Sequence, residues 1–86
     1  MSARLREQVA AGVRVRELLE DQTLLDAFDA LERRYVAEWR ETAAHETEAR
    51  ERAYWALEAL DRVRLELKIT LDNGSIAASQ LEQKQE

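Results

Sequence analysis

"VRLELKITLDNGSI", residues 63–76, is the stretch that decides the fold of this chain. Its apolar residues alternate with polar ones, as in a half-buried strand, at Val63, Leu65, Leu67, Ile69 and Leu71. The pair Asn73-Gly74 follows, and such a pair is a strong signal for a β-hairpin turn. The stretch therefore fits either the first arm of a hairpin or the last part of a helix.

The residues after the turn favour the helical interpretation. Residues 75–86, SIAASQLEQKQE, are rich in Ala and Gln and contain no β-branched run, so they would make a poor second strand. Upstream, apolar residues already follow a helical spacing that continues into the stretch, at Ala53, Ala56, Leu60, Val63, Leu67 and Leu71. We therefore predict a helix over about residues 48–72, with Gly74 in the left-handed conformation at its end. A short final helix, capped by Ser75, is predicted over about residues 76–84.

Two further helices are predicted before this one. The first covers about residues 3–20 and has a weak apolar stripe, whereas the second, over about residues 22–41, has the most regular stripe in the chain. The stripe of the second helix consists of Leu24, Phe28, Leu31, Tyr35 and Trp39. No Gly or Pro separates the two helices, so the sequence leaves open whether they are continuous. A turn is expected over residues 41–49, where Thr42 and Thr47 are the candidate caps of the next helix.

The composition agrees with an all-α fold. Ala, Leu, Glu, Arg and Lys make up more than half of the chain, and proline is absent. We expect one small domain, residues 1–86, in which two long helices form an antiparallel hairpin with an N-terminal helix and a short C-terminal helix. The predicted core consists of apolar residues from the two long helices: Leu24, Phe28, Leu31, Tyr35, Trp39, Leu60, Val63, Leu67 and Leu71.

The third helix is predicted to have a second apolar face. In a helix, a residue two positions along points about 200° away, so Leu65 and Ile69 lie opposite the main stripe. Tyr54 and Trp55 also lie away from that stripe. Either another helix of the chain covers these four residues or they bind a partner, which is a second copy of the chain or another protein. Trp55 is the residue most expected to contact a partner.

The motifs of the common enzyme classes are missing from the sequence. It contains no Gly-rich phosphate loop, no HExxH and no Ser or Cys nucleophile beside a base. Glu41, His45 and Glu48 would share one face of a continuous helix, but His45 falls in the predicted turn, which favours a solvated histidine. We therefore expect a non-enzymatic protein with no cofactor, no metal site and no small-molecule substrate.

Charge and hydropathy limit the partners further. The net charge is -5 and the pI is about 4.9, which disfavours nucleic acid as a partner. Four arginines near the N-terminus have acidic neighbours, so surface salt bridges are the favoured interpretation for Arg4, Arg6, Arg14 and Arg16. No apolar run is long enough to span a bilayer, and the N-terminus lacks the apolar core of a signal peptide, so a cytoplasmic protein is expected.

A set of apolar, aromatic and turn residues gives the chain a resemblance to a known group of proteins. The set covers about residues 18–81. It consists of Leu25, Phe28, Leu31, Tyr35, Trp39, Thr42, Arg50, Glu51, Trp55, Leu57, Leu60, Val63, Gly74 and Ala77. In this pattern the chain resembles short all-helical proteins encoded among the head and packaging genes of tailed bacteriophages and prophages. The resemblance implies a phage protein that acts through protein–protein contact, in the cytoplasm of the host bacterium or in the virion.

Three functions remain open at this level. The leading hypothesis is a phage structural or assembly protein that works as a helical oligomer. The second is a small phage-encoded inhibitor or adaptor that binds a host protein. The third is a DNA-packaging factor resembling a small terminase subunit, which would need salt-sensitive DNA binding by the N-terminal arginines.

Overall fold

The computed structural model describes residues 2–85, and within them it is all-α. It contains α1 (Ser2–Glu20), α2 (Gln22–Glu41) and α3 (Thr47–Gln85), with no strand among these residues. The prediction of an all-α protein is confirmed. Met1 and Glu86, the ends of the predicted domain, lie outside the described residues. None of the described helices has both the length and the apolar character that crossing a membrane requires.

The largest difference from the sequence-based prediction is the length of α3. We expected one helix over about 48–72 and a separate short helix over about 76–84, but α3 continues through both as 39 residues. No glycine among the described residues has a positive φ, so Gly74 does not end a helix and Ser75 does not begin one. An interior glycine costs a helix about 1 kcal/mol relative to alanine. Glycine is needed at position 74 because the backbone of α1 lies too close to leave room for a side chain.

The junction between α1 and α2 answers the question that the sequence left open. Asp21 is the single residue between them, and its backbone N–H donates to the Leu18 carbonyl at 3.1 Å. The two segments are therefore separate helices. Their bounds differ from the predicted 3–20 and 22–41 by one residue, at the start of α1.

The loop between α2 and α3 uses different caps from those predicted. The Thr42 hydroxyl donates to the Trp39 carbonyl at 2.6 Å, so Thr42 closes the end of α2 rather than starting α3. The Glu46 carbonyl accepts the N–H of Arg50 at 3.0 Å, which makes Glu46 the N-cap of α3. The carboxylate of Glu46 also accepts the backbone N–H of Ala43, at 2.7 Å, and so closes the loop.

The described residues group into two compact units. One, which we call the terminal unit, consists of residues 2–21 and 65–85. The other, which we call the central unit, consists of residues 22–64. Each unit contains part of α3.

In the terminal unit, α1 meets α3 at the only two glycines of the chain. A Cβ atom on Gly74 would lie 2.9 Å from the Gln8 carbonyl oxygen and 2.9 Å from Gly12 Cα. Both glycines are buried, as are Val15 on α1 and Ala77 on α3. Each of these two residues lies three positions after its glycine, on the same helix face. The two backbones therefore touch, which only small residues at the crossing allow.

In the central unit, α2 packs beside the first half of α3, and the buried side chains all come from α3. Ala53 and Leu60 are buried, whereas α2 buries no residue completely. The other predicted core residues of this unit are half-buried, namely Leu24, Phe28, Leu31 and Tyr35. Leu67 and Leu71 are half-buried in the terminal unit. A pair of helices buries only a narrow strip of each, so complete burial is rare here.

Two residues predicted as core are exposed instead, Trp39 and Val63. Val63 lies roughly 60° around the helix from Leu60 and roughly 80° from Ala53, outside the strip that the helix pair buries. Trp39 lies two residues before the end of α2, where the guanidinium of Arg50 covers one face of its ring at 4.6 Å. A regular helical spacing in the sequence does not distinguish the centre of such a strip from its edge.

Candidate functional site

The four residues predicted to bind a partner are all exposed side chains of α3. Their exposed fractions range from 41% for Ile69 to 60% for Trp55. Tyr54 and Trp55 belong to the central unit, and Leu65 and Ile69 belong to the terminal unit. All four remain open to solvent, so no other helix of the described chain covers them.

The two aromatic residues contact each other. The rings of Tyr54 and Trp55 lie 5.3 Å apart between centroids, with an angle of 75° between their planes. This is the edge-to-face geometry that aromatic pairs prefer. Tyrosine and tryptophan are also the residues that most often contribute large binding energies at protein interfaces. The pair therefore presents preorganised apolar area on the surface of the central unit.

The terminal unit presents a second exposed group, which we call the α3 stripe: Leu65, Ile69 and Ile76. Ile76 is 57% exposed, and sequence reasoning missed it as a partner contact because it was placed on a separate short helix. In the continuous α3, Ile76 lies seven residues after Ile69, so the three side chains point within roughly 40° of each other. The seven-residue spacing from Ile69 to Ile76 could have identified Ile76, but the helix was predicted to end at Gly74, between the two.

Two charged residues accompany the α3 stripe. Asp72 lies between Ile69 and Ile76 on the same face, and Lys68 lies one turn before Asp72. Both side chains are exposed. Neither forms an ion pair with any residue in the described range 2–85. The α3 stripe is therefore an apolar surface that contains one unpaired acid and has one unpaired base beside it.

Arg64 holds α2 against α3 in the central unit. Its guanidinium lies 3.2 Å from a carboxylate oxygen of Glu32 and 3.5 Å from one of Asp29, both on α2. The same group lies over the Phe28 ring at 5.6 Å. Because the acidic partners are largely exposed, each ion pair contributes modestly to stability. Arg64 therefore positions the helix pair and is not left free for a ligand.

Arg50 makes the corresponding contact at the other end of the helix pair. Besides covering Trp39, it donates to the hydroxyl of Thr42 at 3.0 Å and to the Thr42 carbonyl at 3.4 Å. Arg50 thereby links the start of α3 to the end of α2 and to the loop that joins them.

We expect Arg50→Met to lower the free energy of unfolding by about 1 kcal/mol, because it removes a cation–π contact and the bonds to Thr42. Urea unfolding followed by tryptophan fluorescence measures this change. The matched control is Arg52→Met, which removes an exposed arginine of the same helix and should change stability by less than about 0.5 kcal/mol. Equal effects of the two substitutions would mean that the Arg50 contacts do not stabilise the unit.

The structure separates the residues that resembled a metal site. Glu41 ends α2, His45 lies in the loop and Glu48 lies in the first turn of α3, so they share no helix face. Within residues 2–85, no three His, Cys, Asp or Glu side chains lie close enough together to hold a metal ion. No polar or charged side chain of residues 3–83 is buried. The terminal unit has an open cleft between α1 and α3, whose lining includes Arg4, Gln8, Asn73 and Ile76.

The N-terminal arginines do not form the salt bridges that the sequence favoured. Arg4, Arg6, Arg14 and Arg16 are exposed, and the ion pairs seen in the described part of the chain belong to Arg62 and Arg64 on α3. The order of charges explains the difference. On α1 each base precedes its acidic neighbour, as in Arg16 and Glu20, and this order is the less favourable one for a helical pair.

The comparisons with known proteins add no relative. No protein-family model matches the chain, and no curated protein or solved structure is detectably similar to it.

Proposed function

We propose that this chain is a non-enzymatic phage structural or assembly protein that self-associates through helix-mediated contacts. The observation that carries the proposal is the exposure of large apolar side chains on α3, in the Tyr54–Trp55 pair and in the α3 stripe. The phage context comes from the resemblance of the sequence pattern. Within the proposal, α2 and α3 form an antiparallel hairpin that displays these side chains.

The exposed apolar area supports a role in binding. Burying one large apolar side chain contributes about 1.5–3 kcal/mol relative to leaving it in water. On a monomeric protein, single exposed apolar residues are ordinary, but groups of them mark protein contacts. The α3 stripe and the aromatic pair are such groups, and each consists of neighbours on one helix.

Contacts in the central unit support the antiparallel hairpin. Trp39, near the end of α2, contacts Arg50, near the start of α3. Glu32, in the middle of α2, contacts Arg64, which lies further along α3. The later residue on α3 therefore contacts the earlier residue on α2, as expected for two antiparallel helices. Trp55 then lies on the side of α3 opposite the buried Ala53 and Leu60, within the same unit.

The double substitution Trp55→Glu with Ile69→Glu tests the proposal. We expect the wild-type chain to form an oligomer and the double variant to be a monomer, because both substitutions place charge on apolar contacts. Helicity should be unchanged, since both side chains are exposed in the chain itself. Light scattering across a concentration range measures the mass, and circular dichroism measures the helicity.

The matched control is Ala30→Glu with Ser75→Glu, which adds two acids at exposed positions, one in each unit and both outside these apolar groups. We expect it to keep the wild-type mass. A double variant at Trp55 and Ile69 that unfolds would show that these residues are intrachain core. One that stays oligomeric would show that they are not the interface.

A wild-type chain that is monomeric at every concentration would contradict self-association. The alternative is then a small phage-encoded inhibitor or adaptor that binds a host protein. The Tyr54–Trp55 pair is the observation that favours this second candidate, since a preorganised aromatic pair is suited to filling a pocket on another protein.

A further inference from the structure

The α3 stripe has the spacing of a coiled-coil seam. Leu65, Ile69, Asp72 and Ile76 follow one another at intervals of four, three and four residues. This is the interval pattern of the positions that face a partner helix in a coiled coil. Because the three apolar members are exposed in the terminal unit, the chain presents a seam without the helix that would complete it.

We propose that a second copy of this chain supplies that helix, with the two α3 stripes packed antiparallel and Lys68 of each copy paired with Asp72 of the other. The inference rests on the proposed self-association and deepens it by naming the contacting residues and their direction. It involves only residues of the terminal unit.

The charges of the seam indicate which helix packs against it. The seam contains Asp72, so a partner helix must bring a cation close to it or leave a carboxylate unpaired among apolar side chains. It must also bring an acid close to Lys68. Lys68 and Asp72 lie one turn apart beside the apolar residues of the α3 stripe. Neither forms an ion pair within the described residues 3–83. A two-fold-related copy therefore satisfies both requirements at once, because in such an interface each contact occurs twice.

Charge also determines the direction of the pairing. In a parallel pair in register, Asp72 would face Asp72 of the other copy inside the seam, and two like charges there oppose association. In an antiparallel pair, residues at equal distances from the two-fold axis face each other. Leu65 and Ile76 have a midpoint close to residue 70, and so do Lys68 and Asp72. One axis position therefore places Leu65 against Ile76, and Lys68 beside Asp72 of the other copy, which also lies opposite Ile69.

The size of the surface sets the strength of the contact. Stable interfaces bury about 800 Å² on each partner, which is more than three apolar side chains supply. We therefore expect the pairing to depend on protein concentration. Lys68 lies at the edge of the seam, where each ion pair remains open to solvent on one side, so the dependence on salt should be moderate.

Charge reversal tests the ion pairs. We expect Lys68→Asp and Asp72→Lys, each alone, to raise the dimer Kd about tenfold at low salt, because each places two like-charge contacts at the interface. The double variant, which exchanges the two charges, should restore the wild-type Kd. Circular dichroism on all three variants separates a change in helix stability from a change in association. Single reversals that leave the Kd unchanged would overturn the ion pairing.

Cysteine crosslinking tests the direction, since the chain contains no cysteine of its own. In the antiparallel pair, Leu65→Cys of one copy faces Ile76→Cys of the other, whereas two Leu65→Cys side chains are roughly 16 Å apart along the helix. We therefore expect disulfide-linked dimers from a mixture of the two variants and not from either variant alone. Ala59→Cys, on an exposed position outside the α3 stripe, gives the background of random collision.

The outcomes separate this inference from the proposed function. Crosslinking of each variant alone would establish a parallel pair and overturn the antiparallel one. No crosslinking in any mixture, while light scattering still shows an oligomer, would place the self-contact elsewhere and leave the proposed function standing. A wild-type chain that is monomeric at every concentration would overturn both.

Discussion

Replacing Gly74 with alanine is expected to lower the free energy of unfolding by up to about 2 kcal/mol, which is an overpacking cost of about 1–3 kcal/mol less the gain in helix propensity. The added methyl group would lie 2.9 Å from two backbone atoms of α1, the carbonyl oxygen of Gln8 and Cα of Gly12. Backbone atoms of a helix cannot move aside as a flexible side chain can, so the two helices must separate. This loss outweighs the gain in helix propensity, which is about 1 kcal/mol for glycine to alanine.

The sign of this change is informative. If α1 and α3 did not touch, Gly74→Ala would stabilise the protein, because alanine is the better helix former. The matched control is Ser75→Ala, at the exposed neighbouring position, which should change stability by less than about 0.5 kcal/mol. Urea unfolding followed by circular dichroism measures both variants. A Gly74→Ala variant more stable than the wild type would contradict the close crossing of the helices.

Replacing Leu60 with alanine is expected to destabilise the central unit by about 2–5 kcal/mol, since the substitution removes buried methyl groups and leaves a cavity. We expect the lower part of this range, because the half-buried side chains of α2 can relax toward the gap. The matched control is Val63→Ala. Leu60 is 7% exposed and Val63 is 49% exposed, so the control removes apolar groups that already contact water.

Two spectroscopic signals distinguish the units in this experiment. Trp39 and Trp55 both belong to the central unit, so fluorescence follows that unit, whereas circular dichroism follows all the helices. Leu60→Ala should shift the fluorescence transition to lower urea concentration, and Val63→Ala should leave it nearly unchanged. If Val63→Ala were as destabilising as Leu60→Ala, the conclusion that only a narrow strip of α3 is buried would be wrong.

The helices themselves could be predicted from the sequence because helix formation is local. Apolar residues that repeat every three or four positions place one face of the chain against a neighbour, and the absence of proline leaves these helices unbroken. The exposed apolar side of α3 could also be predicted, since an alternating pattern within a helix necessarily places side chains on opposite faces. Leu65 and Ile69 were found in this way.

The residues that were misjudged depend on contacts between segments distant in sequence. Val63 fits the helical spacing as well as Leu60 does, and only the position of α2 places one at the edge of the strip and the other at its centre. Ile76 was separated from the α3 stripe by a predicted helix end at Gly74. A glycine that ends a helix and a glycine that permits a close crossing look the same in one sequence.

The sequence by itself determined that this protein is helical, where α1 and α2 lie, and that α3 has apolar residues on opposite faces. These properties follow from composition and from spacings of a few residues, which act within a single helix. Only the tertiary structure decided that α3 is continuous, which of its faces remains open, and why Gly74 is a glycine. The reason for Gly74 is its contact with Gly12 on α1, and no local pattern records a contact between residues so far apart in the chain.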